Sequence, residues 1–146
     1  IQLAPMIEEI FTDLAPLVEK RGITLEADGD GVMTGSDALI YRLIFNLTEN
    51  AVKYNRPGGS VRVCVIQETE KLLIRVSDTG CGIPDEYQQS IFQPFFRVDK
   101  SRSREYGGAG LGLSLVWEIA NLHGGSVWVE ESSEKGTTIA VELPVQ

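Results

Sequence analysis

Residues 46–54 read NLTENAVKY and end a longer segment, residues 37–54, in which apolar side chains recur at helical spacing. Ser36 and Asp37, at the start of the segment, are both residue types that favour a helix N-cap. We therefore predict an amphipathic helix with one stripe facing the core. The stripe consists of Ile40, Leu43, Leu47, Ala51 and Tyr54.

A second stripe of the same helix is polar. Asn46, Asn50 and Lys53 are four and three residues apart, so at about 100° per residue they share one face. Asparagine is a poor helix former, so two of them inside a helix favour a specific role. Amide oxygens are suitable ligands for Mg²⁺. The spacing alone supports a solvated helix face and a magnesium-binding face equally.

The segments on both sides of this helix alternate between helical and strand-like patterns. The predicted helices cover residues 5–21, 37–54, 85–92 and 113–122. The predicted strands cover residues 23–27, 31–35, 61–65, 72–77, 126–130 and 137–143, and the third and fourth form a hairpin. These elements predict an α/β two-layer sandwich, in which residues 1–146 form a single domain without repeats or a linker.

Length, composition and charge limit the class of protein. A chain of 146 residues with 42% hydrophobic residues supports one globular domain. The net charge of −8 removes the overall attraction to phosphate backbones, so we expect no nucleic-acid partner. Cys64 and Cys81 match neither a disulfide framework nor a zinc site, which favours a reducing compartment. Because the chain begins with Ile1 rather than Met, we expect it to be a domain of a longer protein.

A carboxylate and two glycines follow the predicted strand 72–77. Residues 78–84 read DTGCGIP. A carboxylate at a strand end can accept a hydrogen bond from an exocyclic amine, and glycines let the backbone approach a flat ring or a phosphate closely. An ordinary glycine turn is the alternative interpretation of this string.

A second glycine string, GGAGLG at residues 107–112, leads into the predicted helix at Leu113. Backbone N–H groups exposed at a helix N-terminus favour phosphate, although a flexible linker has the same composition. The stretch before it is locally basic, which favours a polyphosphate ligand. Its charged residues are Arg97, Lys100, Arg102 and Arg104 against Asp99 and Glu105. The signatures of P-loop, dinucleotide-binding and eukaryotic-type kinase folds are missing from the sequence.

Taken in order, these strings resemble the signature boxes of sensor histidine kinases, within the gyrase, chaperone and mismatch-repair ATPase superfamily. Residues 46–54 resemble the N box, and residues 78–82 the first glycine box. The F box, the second glycine box and the third glycine box are matched by residues 92–96, 108–112 and 136–138. The resemblance spans nearly the whole chain, and five ordered boxes make it specific.

This resemblance implies a Bergerat-type fold, a mixed sheet covered on one face by helices, with ATP held under a mobile lid. By position, Asn50 would ligate Mg²⁺, Asn46 would help to hold the metal and the triphosphate, and Lys53 would contact phosphate. Tyr54 would line the adenine side, and Asp78 would receive the adenine amino group. The other positions assigned to the nucleotide are Gly80, Gly82, Ile83, Gly108, Gly110, Leu111, Gly112, Thr138 and one of Arg97, Lys100, Arg102 or Arg104.

The resemblance also bears on the reaction. Superfamily members that hydrolyse ATP rapidly carry glutamate at the position of Asn46, and an amide cannot take a proton from water. Glu49 is a poor substitute because it points about 60° away from the asparagine stripe. We therefore expect ATP to be held for a histidine outside this chain, with little turnover by the domain alone. His123, the one histidine present, is interpreted as a structural residue at a helix end.

The expected partners are the parent's own dimerisation and phosphoacceptor domain, before Ile1, and the receiver domain of a response regulator. We expect a monomeric cytoplasmic domain within a homodimeric, membrane-anchored bacterial sensor. Phe92, Phe95 and Phe96 are either core residues or anchors for the lid and the absent domain. The alternatives are a serine kinase of the anti-sigma-factor type and a catalytically inactive nucleotide-binding module. Asn46 disfavours a gyrase-type hydrolase.

Overall fold

The structure is a computed structural model that describes residues 1–93 and 112–146. It has a mixed five-stranded sheet with helices packed on it. This confirms the predicted fold class. Predictions for residues 94–111 lie outside the described residues.

The α-helices are α1 (Leu3–Arg21), α2 (Asp37–Lys53) and α3 (Gly112–Leu122). Ser36 caps α2, because its Oγ accepts a hydrogen bond from the backbone N–H of Leu39 at 3.3 Å. The predicted helix over residues 85–92 is wrong in type. Two 3₁₀ turns, Asp85–Tyr87 and Ser90–Phe92, occupy that segment, which is too short to nucleate a stable α-helix.

The strands are β1 (Thr24–Gly29), β2 (Ser60–Gln67), β3 (Lys71–Asp78), β4 (Ser126–Ser133) and β5 (Gly136–Pro144). Their order across the sheet is β1-β2-β3-β5-β4. β1 runs parallel to β2, and the other neighbouring pairs are antiparallel. The predicted hairpin of β2 and β3 is confirmed.

The predicted strand over residues 31–35 is wrong. In this segment Val32 makes a single bridge, to Gln2, outside the sheet. The backbone N–H of Met33 donates to the carbonyl oxygen of Ile1, and that of Thr34 to Val145. The side chain of Met33 is buried. The alternation of apolar and polar residues therefore reflects a loop packed between the two chain termini.

One face of the sheet is apolar and carries the helices. Val61, Val63 and Val65 of β2 are buried, whereas Arg62, between two of them, points outward and pairs with Asp28. The apolar stripe of α2 packs on this face as predicted, with one exception. Tyr54 is 47% exposed, because α2 ends at Lys53 and Tyr54 is the C-cap residue. Across residues 1–93 and 112–146, no helix combines the length and apolarity that a membrane span requires.

Candidate nucleotide-binding site

Asp78 is the last residue of β3 and is held by two backbone donors. Its Oδ1 accepts hydrogen bonds from the N–H of Gly80 at 2.8 Å and of Thr137 at 3.2 Å. Thr137 lies opposite Asp78 in the ladder of β3 and β5. Oδ2 accepts no hydrogen bond from any residue that the structure describes. Asp78 thus has one oxygen fixed and one available to a ligand.

The environment of Asp78 also changes its acidity. Burial raises the pKa of the carboxyl above its ordinary value, and the two N–H donors oppose part of this rise. The cost of desolvating the charge therefore outweighs the stabilisation that the donors provide. A hydrogen-bond donor bound at Oδ2 would stabilise the charged form further.

The loop over residues 79–84 is fastened to the adjoining ends of β4 and β5. Ser132 Oγ accepts from the N–H of Ile83 at 2.7 Å and shares a hydrogen bond with Thr137 Oγ1 at 2.9 Å. Gly82 has a φ of 81°, and a Cβ at this position would overlap the carbonyl oxygen of Ser133. The loop is therefore positioned by the fold itself.

Thr138 does not lie beside Asp78. It pairs with Ser77, and the two hydroxyls are 2.8 Å apart. Because side chains alternate along a strand, Thr138 and Asp78 project from opposite faces of the sheet. The neighbouring Thr137 is the residue of the third glycine box whose N–H donates to the Asp78 side chain.

The polar face of α2 carries Asn46, Asn50 and Lys53, and all three are partly buried. Asn46 Nδ2 donates to the carbonyl oxygen of Gly112 at 3.3 Å. Lys53 Nζ lies 3.7 Å from Glu49 Oε1, one turn earlier on the helix. The amide of Asn50 makes no hydrogen bond within the described part of the chain. This face thus presents an amide and an ammonium group with few internal partners.

The two parts of the site lie at different heights along α2. The loop after β3 packs against the end of the helix, since a Cβ at Gly80 would lie 2.6 Å from the carbonyl oxygen of Tyr54. Asn46, which bonds to Gly112, precedes Tyr54 by eight residues. At about 1.5 Å per residue, the two contacts are separated by roughly 12 Å along the helix. A nucleotide can therefore lie along α2 with its base at the C-terminal end.

Gly112 is the first residue of α3. A Cβ built at this glycine would meet no described atom within 4 Å, so neighbouring packing does not require glycine there. The predicted residues that lie outside the described residues are Gly108, Gly110, Leu111, Arg97, Lys100, Arg102, Arg104, Phe95 and Phe96. Ile83 and Phe92 are partly buried against the core.

His123 is engaged in the fold. Its Nε2 accepts a hydrogen bond from the N–H of Ser36 at 3.2 Å, and its Nδ1 lies 2.9 Å from the carbonyl oxygen of Ile119. Since an N–H group can only donate and a carbonyl oxygen can only accept, Nε2 is the acceptor and Nδ1 the donor in this arrangement. The ring joins the end of α3 to the start of α2.

Asn55 and Ser132 are site residues outside the predicted boxes, and Thr137 lies inside the third glycine box but was not assigned a role from the sequence. Asn55 follows the N box and is only 5% exposed. Its side chain bonds to Thr79 and to the carbonyl oxygen of Ser60. An asparagine just before a Pro-Gly-Gly turn indicates a turn residue, but the contact with Thr79 depends on the tertiary fold.

Comparison with known proteins identifies the family. A family model described as histidine kinase-, DNA gyrase B-, and HSP90-like ATPase matches residues 35–146. The chain belongs to this family, and it is accordingly an ATP-binding domain. The five predicted boxes all fall inside the matched range.

The relatives are sensor histidine kinases. Over 98% of its length the chain is 34% identical to sensor histidine kinase RppB of Synechocystis, and over 95% it is 43% identical to WalK of Bacillus subtilis. It spans 32% of RppB and 22% of WalK. The catalytic domain of histidine kinase ThkA matches with a TM-score of 0.85 and 25% identity, covering 99% of this chain and 95% of that one. These matches confirm the predicted resemblance to a histidine kinase catalytic domain and favour it over both alternatives.

Proposed function

We propose that this domain binds Mg-ATP and transfers the γ-phosphate to a histidine on a dimerisation domain of its parent protein. The observation that carries the proposal is the layout of the site along α2. Asp78, with one oxygen available, lies near the C-terminal end of the helix, and the amides of Asn50 and Asn46 lie one and two turns earlier. An adenine nucleotide needs a hydrogen-bond acceptor for its amino group at one end. At the other end it needs oxygen ligands for Mg²⁺ and N–H donors for its phosphates.

Recognition of adenine is assigned to Asp78. Its Oδ2 accepts a hydrogen bond from the exocyclic amino group, which costs the site little reorganisation because Oδ1 is already fixed. Guanine presents a carbonyl oxygen at that position, and two acceptors facing each other repel. The carboxylate therefore selects adenine over guanine.

The magnesium site is assigned to the polar face of α2. The donor set fits this ion, because Asn50 offers an amide oxygen that no described residue engages, and Asn46 lies one turn away. Residues 1–93 and 112–146 contain no group of three His, Cys, Asp or Glu that could hold a metal. Phosphate oxygens and water would therefore supply the remaining ligands. When bound, Mg²⁺ neutralises charge on the phosphates.

The nucleophile comes from outside this chain. Asn46 cannot act as a base, and Glu49 is paired with Lys53. His123 uses both ring nitrogens within the fold. In the proposed step, the imidazole nitrogen of the acceptor forms a bond to the γ-phosphorus while the bond to the β-phosphate oxygen breaks, and ADP leaves.

The parent protein would supply the acceptor, the sensor and any attachment to a membrane. This chain spans about a third or less of the sensor histidine kinases RppB and WalK. A parent protein of similar length would have room for these parts. ThkA has been solved in complex with a response regulator protein, TrrA. We therefore assign the next phosphate acceptor to the receiver domain of a response regulator.

The test is labelling of the parent protein with ATP radioactive at the γ-phosphate. We expect label that is labile in acid and stable in base, as a phosphorus–nitrogen bond is. Asn50→Ala should abolish labelling, whereas Asn121→Ala, at an exposed position of α3, should not. Acid-stable label would indicate a serine kinase. ATP binding without label would indicate an inactive nucleotide-binding module.

A further inference from the structure

We propose that Asn55 and Arg21 are positioning residues that fix the distance between the adenine acceptor Asp78 and the phosphate-binding face of α2. The inference rests on the proposed function, since it concerns the same site. Neither residue lies in the boxes that carry the resemblance. Their contacts join three elements of the fold around the end of α2.

Asn55 is the centre of these contacts. Its Oδ1 accepts from Thr79 Oγ1 at 2.9 Å and from the N–H of Arg56 at 2.8 Å. Its Nδ2 donates to the carbonyl oxygen of Ser60 at 2.8 Å. The side chain is 5% exposed, so water competes little for these bonds. The bond to Arg56 is local, but those to Thr79 and Ser60 tie the buried amide to two other segments of the fold.

Thr79 passes this constraint to Asp78, the residue before it. The Thr79 hydroxyl donates to Asn55 and accepts from the N–H of Ser60 at 2.9 Å. On its other side, Gly80 donates its N–H to Asp78 Oδ1 and packs against the carbonyl oxygen of Tyr54. The backbone around Asp78 is thus tied to the residues that end α2.

Arg21 holds the same helix end from α1. Its Nε donates to the carbonyl oxygen of Val52 at 3.1 Å, and its Nη2 donates to that of Asn55 at 2.6 Å. Val52 lies in the last turn of α2 and Asn55 lies two residues beyond the end of the helix, so one planar guanidinium bridges the helix end and the segment that follows it. Arg21 therefore fixes the backbone from which the Asn55 side chain projects.

Loss of these contacts would let the loop after β3 shift relative to α2. The shift would misplace Asp78 Oδ2 against the adenine amino group while leaving the phosphate-binding side chains in place. The predicted signature is therefore a loss of base discrimination. A purely structural role would instead lower the affinity for all nucleotides together.

The experiment compares ADP with inosine diphosphate, which carries an oxygen in place of the amino group. Calorimetry at a temperature at which each variant is folded gives the ratio of the two affinities. We expect Thr79→Val and Arg21→Met to lower the ADP preference at least threefold. Thr79→Ser, which keeps the hydroxyl, and Arg62→Met, which removes an arginine from the outer sheet face, should keep the wild-type ratio. Asn55→Ala should show the largest loss.

An unchanged ratio in folded Thr79→Val and Arg21→Met would overturn the positioning role and leave the proposed function intact. Because Asn55→Ala removes three buried hydrogen bonds and can fail to fold, the other two variants carry the test without it. Wild-type protein that binds ADP and inosine diphosphate equally would contradict the adenine assignment itself, and the positioning role with it.

Discussion

The two ends of the candidate site differ in how much the fold alone determines them. The proposed adenine end consists of Asp78, the loop over residues 79–84, Ser132 and Thr137, and its members are joined by hydrogen bonds of 2.7–3.2 Å. The proposed phosphate end consists of Asn46, Asn50, Lys53 and Gly112. Within the described residues, its side chains make one hydrogen bond of 3.3 Å and one ion pair of 3.7 Å.

This difference indicates a division of roles. The adenine end is preorganised, so it can discriminate between bases at little cost in ordering. Among the described residues, the phosphate end makes fewer and longer contacts, so we expect its final arrangement to depend on the ligand. Substitutions at the adenine end should therefore affect both folding and binding, whereas those at the phosphate end should weaken binding without lowering stability.

The largest expected effect is on stability at the adenine end. Gly82→Ala should lower the free energy of unfolding by about 3 kcal/mol, because the new Cβ meets the Ser133 carbonyl and the φ of 81° is strained for alanine. Urea denaturation measures the change. Gly58→Ala is the matched control, since Gly58 has a similar φ of 78° but no described atom within 4 Å of a Cβ, and it should cost about 1 kcal/mol. Equal losses would show that the loop is not held by Ser133.

The next effect is on nucleotide choice. Asp78→Asn should weaken ATP binding roughly tenfold to a hundredfold, which is the range for a hydrogen bond to a charged group. GTP binding should change much less, so the preference for ATP falls. Competition calorimetry with both nucleotides gives this preference. An unaltered preference would remove Asp78 from adenine recognition.

At the phosphate end, Asn50→Ala should remove most of the gain in ATP affinity that Mg²⁺ provides, about tenfold. The free energy of unfolding should change by less than about 0.5 kcal/mol, because the Asn50 amide bonds to no described residue. Titration with ATP, with and without Mg²⁺, gives the gain in affinity, and urea denaturation gives the free energy of unfolding. Asn121→Ala is the control for both measurements. A destabilised variant would mean that the phosphate end is fixed by the fold as well.

Acidity should affect binding and folding in opposite directions. Because burial raises the pKa of Asp78 in the folded state, proton uptake by this group favours folding, and its contribution to stability rises as the pH falls through that pKa. ATP binding should weaken over the same range, since the protonated carboxyl has lost its charge. The difference in ATP affinity between wild type and Asp78→Asn, measured against pH, should shrink on acidification. A constant difference would show that Asp78 does not titrate there.

The smallest effect is expected at Gly112. Alanine there should leave stability unchanged or raise it by up to about 1 kcal/mol, because the position is helical and open among the described residues. ATP affinity should fall a few-fold, because the added methyl group would crowd the phosphates. A loss of stability like that of Gly82→Ala would contradict the distinction between the two ends.

Local patterns were sufficient to predict most of the fold. The apolar stripe of α2, the Ser36 cap and the alternation in β2 depend on residues close in sequence, and the structure confirms them. Tyr54 was misassigned to the core because periodicity does not mark where a helix ends. Residues 31–35 were misassigned because a loop packed between the chain termini also alternates.

The site was predicted less completely because its contacts are distant in sequence. Asp78 and the α2 amides carry recognisable motifs. Thr137 meets Asp78 across 59 residues, and Asn55 meets Thr79 across 24. Such contacts depend on strand order and register, which the sequence patterns did not specify.

The most direct test of the account is calorimetric titration of the domain with ATP, with and without Mg²⁺. The account predicts saturable binding at one site per chain, tighter when Mg²⁺ is present. Absence of saturable binding in the presence of Mg²⁺ would contradict it.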